Sequence, residues 1–167
     1  MPIPDFVRAL REHVGTAPLW LSGVTAVVCR GDEVLLAQRA DNRAWTPVTG
    51  IIDPGEEPAD AAVREVAEEA AVRVVPERLV MVSVTPVVTY PNGDVSQYLD
   101  LAFRMRWLSG DPHPADGENI DVRWFHRGEL PSLSPDMVER IEAALANQPE
   151  ARFRGGAGRT AADLPTS

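Results

Sequence analysis

Three glutamates close together in the sequence, Glu65, Glu68 and Glu69, are the residues best suited to chemistry. At about 100° per residue they would share roughly a quarter of a helix circumference, where like charges oppose each other by about 0.2–0.5 kcal/mol per pair in water. A divalent cation would remove this repulsion. Carboxylate oxygens favour Mg²⁺, Mn²⁺ or Ca²⁺ over Zn²⁺, because neither cysteine nor histidine is nearby. An acidic helix face is most often only a solvated surface, so the composition suggests a metal site without proving one.

The helix that must carry these glutamates is predicted to begin at Pro58, because the first helical turn needs no N–H from that residue. No helix breaker follows before Ala70, and alanine favours helix formation. Val63 and Val66 belong to an apolar stripe on the side away from the glutamates, which gives the helix a face to bury. Proline and glycine just before the helix form a rigid loop that would deliver Glu56 to the same region.

The order of residues over positions 50–72 resembles the signature of the Nudix hydrolases. That signature is Gly, five residues, Glu, seven residues, Arg-Glu-apolar, one residue, Glu-Glu, one residue and Gly-apolar. The matching positions are Gly50, Glu56, Arg64, Glu65, Val66, Glu68, Glu69 and Val72. Ala71 stands where the family has glycine. That glycine permits a left-handed residue at the helix end, and alanine there costs on the order of 1 kcal/mol.

The resemblance implies a metal-dependent hydrolase that cleaves the pyrophosphate bond of a nucleoside diphosphate linked to another group. Glu65, Glu68 and Glu69 would hold Mg²⁺ or Mn²⁺ with help from the Gly50 carbonyl. The metal would neutralise charge on the phosphates and lower the pKa of bound water. By analogy with the family, one glutamate is the catalytic base. Glu65 is the first candidate, and Glu118, in a loop before a strand, is the second.

Other candidate residues flank the signature. Arg64 is expected to pair with Glu56, fixing the loop geometry, and to point away from the metal ligands. Arg39 is a candidate phosphate contact, although it could equally be a surface charge. Trp45, Tyr90 and Tyr98 could stack on a base, since every base offers a π-face, but buried packing is the commoner role of such aromatics.

Hydrophobic patterns predict the remaining elements. The predicted helices span residues 4–14 and 135–147, and a hairpin joins strands 25–30 and 33–38. Residues 73–78 are expected to be a connector, followed by a strand over 79–90 with Val80, Val82 and Val84 on one face. A two-residue turn at Asn92-Gly93 leads to a strand over 95–108, and a short strand spans 121–125. This pattern predicts an α/β fold, and the resemblance implies an α/β/α sandwich with a mixed sheet.

The domain plan has three parts: an N-terminal helix and lead-in over residues 1–22, a Nudix domain over 23–147, and a mobile tail over 148–167. No run of about 18 apolar residues exists, so no membrane span is expected. The N-terminus does not resemble a secretory signal, and Cys29 has no partner for an internal disulfide, which fits a reducing cytoplasm.

A net charge of −9 argues against a nucleic-acid polymer as partner. The expected partner is a small nucleotide, either a nucleoside triphosphate or a sugar nucleotide such as ADP-ribose. The sequence leaves a homodimer open. It also leaves open an alternative from another class, a nucleotide-sensing or interaction module on the same fold with weak catalysis.

Overall fold

The computed structural model of the chain describes residues 3–155. Its helices within this range are α1 (Asp5–Val14), α2 (Pro58–Ala70) and α3 (Pro135–Leu145). Its strands there are β1 (Leu19–Arg30), β2 (Glu33–Arg39), β3 (Trp45–Thr46), β4 (Val48–Ile51), β5 (Arg73–Val84), β6 (Val88–Thr89), β7 (Val95–Ser109), β8 (Asn119–His126) and β9 (Arg152–Phe153). No helix among these residues is long and apolar enough to cross a membrane.

One mixed sheet contains the strands, and β1 lies at its centre. The main order is β3-β2-β1-β7-β5-β9, while β4 pairs with β1, β6 with β7 and β8 with β2. The β1–β7 and β5–β9 pairs are parallel, and the other pairs are antiparallel. The end of β1 pairs with β2, whereas Gly23 to Ala26 pair with β4. The sheet therefore forks at β1, and β4 carries Gly50 along the fork.

Helices cover both faces of the sheet. On one face, Val66 and Ala70 of α2 pack against Val24 and Met105. On the other face, Ile141 and Ala144 of α3 pack in the cluster that contains Val27 and Leu36. The apolar stripe of each helix is thus buried against alternate residues of the same strands. The predicted α/β/α sandwich with a mixed sheet is confirmed.

The strand prediction was wrong on both sides of α2. Residues 73–78 are not a connector, because Val74 and Val75 pair with β7 and register shifts accommodate Pro76. The strand ends at Val84, short of the predicted residue 90. Val80 packs with Met81 in the cluster under α3, so Val80 does not share a face with Val82 and Val84. A shift between Leu79 and Met81 turns the later side chains over, which periodicity alone could not show. Strand β4 was not predicted.

The second hairpin has a longer loop than the sequence suggested. Thr89 pairs with Val95, which leaves five residues, 90–94, between the strands. Gly93 has a φ of 88°, but Asn92 does not have a positive φ. Asn92 instead accepts a hydrogen bond from the backbone N–H of Asp94 through its side-chain oxygen, at 3.1 Å. A side-chain turn of this kind replaces the predicted two-residue turn.

The end of the described chain also differs from the expectation. Residues 148–167 were predicted to form a mobile tail, yet Arg152 and Phe153 pair with Met81 and Val82 as β9. Arg154 then forms ion pairs with α3. The segment up to residue 155 is therefore attached to the sheet, and residues 156–167 lie outside the described part of the chain.

The C-terminal end of α2 has the backbone conformation that its signature position requires. Ala71 has φ 56° and ψ 27°, in the left-handed region, and its N–H donates to the carbonyl of Ala67 at 3.2 Å. An L-residue with a Cβ pays a steric cost there that glycine avoids. The helix ends where the signature predicts, despite the alanine.

Replacing Ala71 with glycine is expected to raise the free energy of unfolding by about 1 kcal/mol, because the steric cost of the left-handed conformation disappears. The matched control is Ala67→Gly, the same change at an exposed position inside α2, which should lower it by about 1 kcal/mol. Urea denaturation measures both. Destabilisation by both variants would show that Ala71 carries no strain.

Candidate active site

Arg64 joins the loop before α2 to the helix itself. Its Nε and Nη2 atoms donate to the two carboxylate oxygens of Glu56, each at 2.8 Å, and Nη2 also donates to the carbonyl of Ile51 at 3.1 Å. Glu56 in turn accepts the backbone N–H of Asp53 at 3.2 Å. The bond from Arg64 holds the pKa of Glu56 below its ordinary value. A bidentate pair of this kind fixes both partners in orientation.

Arg64 also contacts two of the helix glutamates, so it does not point away from them as the sequence suggested. Its Nη1 atom donates to Glu65 at 2.8 Å and to Glu68 at 3.3 Å. The residues differ in burial: Glu65 is 1% exposed, whereas the side chain of Glu68 is 54% exposed. One guanidinium thus partly neutralises three carboxylates.

Glu65 lies directly behind Gly50 of β4. A Cβ atom at position 50 would come within 2.1 Å of the Glu65 carboxyl carbon, so only glycine fits this contact. Burial raises the pKa of Glu65 to about 7, although Arg64 acts in the opposite direction. A divalent cation would favour the ionised form by supplying positive charge.

Glu69, the last of the three helix glutamates, lies close to two carboxylates from outside α2. Oxygen atoms of Glu69, Asp116 and Glu118 lie within 4.8 Å of one another. Glu69 is buried and accepts a hydrogen bond from Asn119 Nδ2 at 3.0 Å. Burial raises its pKa to about 7, and the bond from Asn119 opposes this. Three carboxylate oxygens this close together could hold a divalent metal ion.

The loop that carries Asp116 and Glu118 is docked on the end of α2. The backbone N–H groups of His113 and Ala115 donate to the carbonyls of Ala70 and Glu69, at 3.3 and 3.2 Å. The last carbonyls of a helix lack partners within it, so this loop satisfies two of them. Sequence reasoning missed Asp116. The available signal was the acid-rich stretch Asp116-Gly117-Glu118, but its position on α2 depends on tertiary contacts.

A cavity of about 500 Å³ extends away from these carboxylates. Gly50, Arg39 and Glu118 line it near the cluster, and Tyr90 and Tyr98 line it as well. The two tyrosine hydroxyls are 2.7 Å apart. Burial, followed by the bond to Tyr98, raises the pKa of Tyr90. These aromatic and charged groups therefore line one cavity beside Glu118.

Arg39 and Trp45 have different surroundings. Arg39 forms a bidentate pair with Asp41, at 2.9 and 2.6 Å, and lines both the cavity and a second depression. Trp45 lines only the second depression of these two. Its ring packs edge-on against Phe125, with centroids 4.8 Å apart, and the Arg123 guanidinium lies 5.2 Å from its centroid. Arg39 is thus beside the acidic cluster, and Trp45 is not in the same cavity.

The stability of the metal-free protein should fall as pH rises from about 5 to about 8. Glu65 and Glu69 have folded pKa values of about 7, above their ordinary 4.5, so the folded state binds more protons over this range. Urea midpoints measured in chelator should therefore decrease with pH, and Glu65→Gln should make the slope shallower. Glu57→Gln, at an exposed position just before α2, is the control. Equal slopes in all three proteins would contradict the assignment.

Comparison with known proteins gives concordant results. A sequence model described as the NUDIX domain matches residues 20–147. A protein named NAD-capped RNA hydrolase NudC, from Pseudomonas syringae pv. tomato, is 35% identical over 127 residues, covering 73% of this chain and 43% of that protein. A protein of the same name from Pectobacterium atrosepticum is 31% identical over 114 residues, covering 67% of this chain and 41% of that protein. The chain thus spans less than half the length of these curated relatives.

Solved structures share the fold. A NUDIX hydrolase from Nitrosomonas europaea is 25% identical with a TM-score of 0.64, and the match covers 80% of this chain and 76% of that one. An ADP-ribose pyrophosphatase from Streptococcus suis is 24% identical with a TM-score of 0.62, covering 80% of this chain and 98% of that one. The signature over residues 50–72, the α/β/α architecture and the match over residues 20–147 agree. This chain belongs to the NUDIX domain family.

Proposed function

We propose that this chain is a metal-dependent pyrophosphohydrolase acting on a nucleoside diphosphate linked to another group. The observation that carries the proposal is the cluster of Glu69, Asp116 and Glu118, of which Glu118 also lines a cavity together with Gly50 and Arg39. Carboxylates alone would repel a diphosphate, whereas carboxylates with a bound cation would attract one. The relatives' names support this class, since NAD and ADP-ribose both contain such a diphosphate.

The residues fit Mg²⁺ or Mn²⁺. Glu69, Asp116 and Glu118 offer hard oxygen donors, and Glu65, Glu68 and the Gly50 carbonyl lie on the adjoining turns of α2 and on β4. When bound, the ion would neutralise phosphate charge and lower the pKa of a coordinated water. Arg64 donates hydrogen bonds to both Glu65 and Glu68, and Asn119 donates one to Glu69.

Glu118 is better suited than Glu65 to act as the general base. The base must reach the water that attacks phosphorus. Glu118 lines the cavity, whereas Glu65 is 1% exposed. In the proposed reaction, Glu118 takes the proton of the attacking water as the new P–O bond forms. The bond between phosphorus and the bridging oxygen breaks, and a nucleotide and a second phosphorylated product leave.

Arg39 is proposed as a phosphate contact, because its guanidinium lines the cavity beside the acidic cluster. It would exchange part of its pair with Asp41 for phosphate oxygens, which guanidinium groups bind in bidentate geometry. Tyr90, on the cavity wall, is proposed to contact the nucleoside part of the substrate. Trp45 is the weaker of the sequence candidates, because it packs on Phe125 outside this cavity.

The proposed substrate is a free small nucleotide, and the proposed location of the protein is the cytoplasm. A net charge of −9 makes a polyanionic polymer an unfavourable partner. The Pseudomonas relative is named for NAD-capped RNA, so capped RNA belongs in any substrate panel. The homodimer stays a prediction from the sequence.

Turnover of ADP-ribose, NAD, nucleoside triphosphates and NAD-capped RNA with Mg²⁺ tests the function. Glu69→Gln is expected to lower kcat/KM by about 100-fold or more, because the cluster loses a charged ligand. Glu57→Gln, an identical change outside the cluster, should leave turnover unchanged. Tight nucleotide binding by the unaltered protein without hydrolysis would overturn the proposal and favour the sensing module.

Two further variants identify the base. At saturating Mn²⁺, which compensates for weakened metal binding, Glu118→Gln is expected to lower kcat by about 100-fold, the usual contribution of a general base. Glu65→Gln should lower kcat less under the same conditions, because its carboxylate lies behind Gly50. Steady-state kinetics measures both. A larger loss in Glu65→Gln would return the role of base to Glu65.

A further inference from the structure

Helix α1 forms a wall of the cavity although it lies outside the residues that match the NUDIX domain. The family match begins at residue 20, whereas α1 spans Asp5–Val14. Ile3, Pro4, Val7 and Arg11 line the cavity, and Val7 is 5% exposed. The domain common to the family therefore does not enclose this space by itself.

Arg11 attaches α1 to the sheet. Its guanidinium donates to the Val95 carbonyl at 2.7 Å and to Ser96 Oγ at 3.1 Å, at the start of β7. It also donates to the carbonyls of Gly15 and Ala17, at 3.0 and 2.6 Å. One side chain thus joins the end of the helix, the following turn and a central strand. These bonds attach the wall formed by α1 to the sheet.

A buried ion pair lines the cavity together with α1. Arg140 Nε donates to Asp100 at 2.7 Å, and Thr25 Oγ1 donates to the same carboxylate at 2.9 Å. Arg140 is 2% exposed and Asp100 is 5% exposed. Burying such a pair costs desolvation energy that apolar residues of similar size would avoid. Because Asp100 and Arg140 both line the cavity, the pair offers a carboxylate to a ligand that enters it.

Gly23 lies between the Asp100–Arg140 pair and Ile51 of β4. It pairs with Ile51 of β4 on one side and with Asp100 of β7 on the other, so Ile51 and Asp100 are two strand spacings, about 10 Å, apart. A Cβ at position 23 would lie 3.3 Å from the Gly50 carbonyl oxygen, 3.6 Å from the Tyr98 ring and 3.8 Å from Asp100. Glycine leaves this space open, and its span suits one nucleoside.

We propose that the part of the cavity between Val7 and Asp100 binds the nucleoside of the substrate, with Asp100 accepting a hydrogen bond from it. The inference rests on the proposed function, which puts the diphosphate beside Gly50. The donor is an N–H group of the base or an O–H group of the ribose. Arg140 neutralises Asp100, so the pair presents a hydrogen-bond acceptor without a net negative charge. Apolar walls with a few polar groups are typical of such sites.

The role of α1 as a cavity wall is tested by placing a larger side chain at position 7. Val7→Phe is expected to raise KM for the preferred nucleotide about tenfold with little change in kcat, because the lost contact is remote from the reacting phosphorus. Leu10→Phe, at an exposed position of α1 that does not line the cavity, is the control. Circular dichroism melts check that both variants fold. Unchanged KM in a folded Val7→Phe protein would overturn the role of α1.

The polar contact is tested with Asp100→Asn on nucleoside diphosphate sugars that differ in base and on the 2′-deoxy analogue of the best one. If Asp100 contacts the base, Asp100→Asn should rank the bases differently from the unaltered protein. If Asp100 contacts the ribose, the unaltered protein should use the 2′-deoxy analogue less well than its parent, and Asp100→Asn should not. Ser83→Ala, which contacts Arg140 but does not line the cavity, controls for structural loosening. If kcat/KM of Asp100→Asn falls by the same factor for every substrate, the role of Asp100 is overturned.

Two outcomes separate this inference from the proposed function. If Glu69→Gln abolishes turnover while Val7→Phe and Asp100→Asn leave KM and selectivity unchanged, the hydrolase stands and the nucleoside site is wrong. If the unaltered protein hydrolyses nothing, calorimetry with nucleoside monophosphates still tests the site, because binding should weaken about tenfold in Val7→Phe. The same calorimetry decides the matter if Asp100→Asn does not fold, and equal binding by the two proteins would overturn the site.

Discussion

The bidentate pair between Arg64 and Glu56 is the interaction on which the candidate site depends. Carboxylates gathered at the edge of a core repel each other and lose hydration, and both effects favour their dispersal or protonation. Arg64 opposes this by contacting Glu56, Glu65 and Glu68 with one guanidinium while also donating to the Ile51 carbonyl. The loop, the helix and strand β4 are therefore held in one arrangement before any ligand arrives.

The sheet provides the second constraint. The sheet forks at β1, where Gly23 and Val24 pair with β4 on one side and with β7 on the other. Gly50 then lies against Glu65 on the face covered by α2, while Asp100 and Arg140 lie on the face covered by α3. Glu65 thus packs on one face of these strands, whereas Asp100 and Arg140 line the cavity on the other face. This explains how a small domain provides both a strongly acidic site and a largely apolar pocket.

Patterns in the local sequence predicted the elements that do not depend on pairing with a distant strand. Residues that start and end helices, together with hydrophobic periodicity, predicted the limits of α2, the position of α1 and the layered architecture. The register shifts in β5 could not be predicted, because a bulge depends on pairing with β7. Periodicity therefore put Val80 on one face with Val82 and Val84, which the shift separates.

The same limit applies to the site. The spacing of Glu65, Glu68 and Glu69 indicated a cation site, but Asp116 joins Glu69 only because backbone N–H groups of its loop bind the last carbonyls of α2. Asp100 and Arg140 are far apart in sequence, and nothing near either residue marks it as part of a pair. Contacts between distant elements supplied what the local sequence could not.

Anomalous diffraction from crystals containing Mn²⁺ and a non-hydrolysable ADP-ribose analogue tests the central claim most directly. The account predicts a manganese peak among the oxygen atoms of Glu69, Asp116 and Glu118, next to the diphosphate, with the Arg64–Glu56 pair intact. Manganese bound elsewhere, with these carboxylates turned into solvent and the analogue outside the cavity, would contradict it.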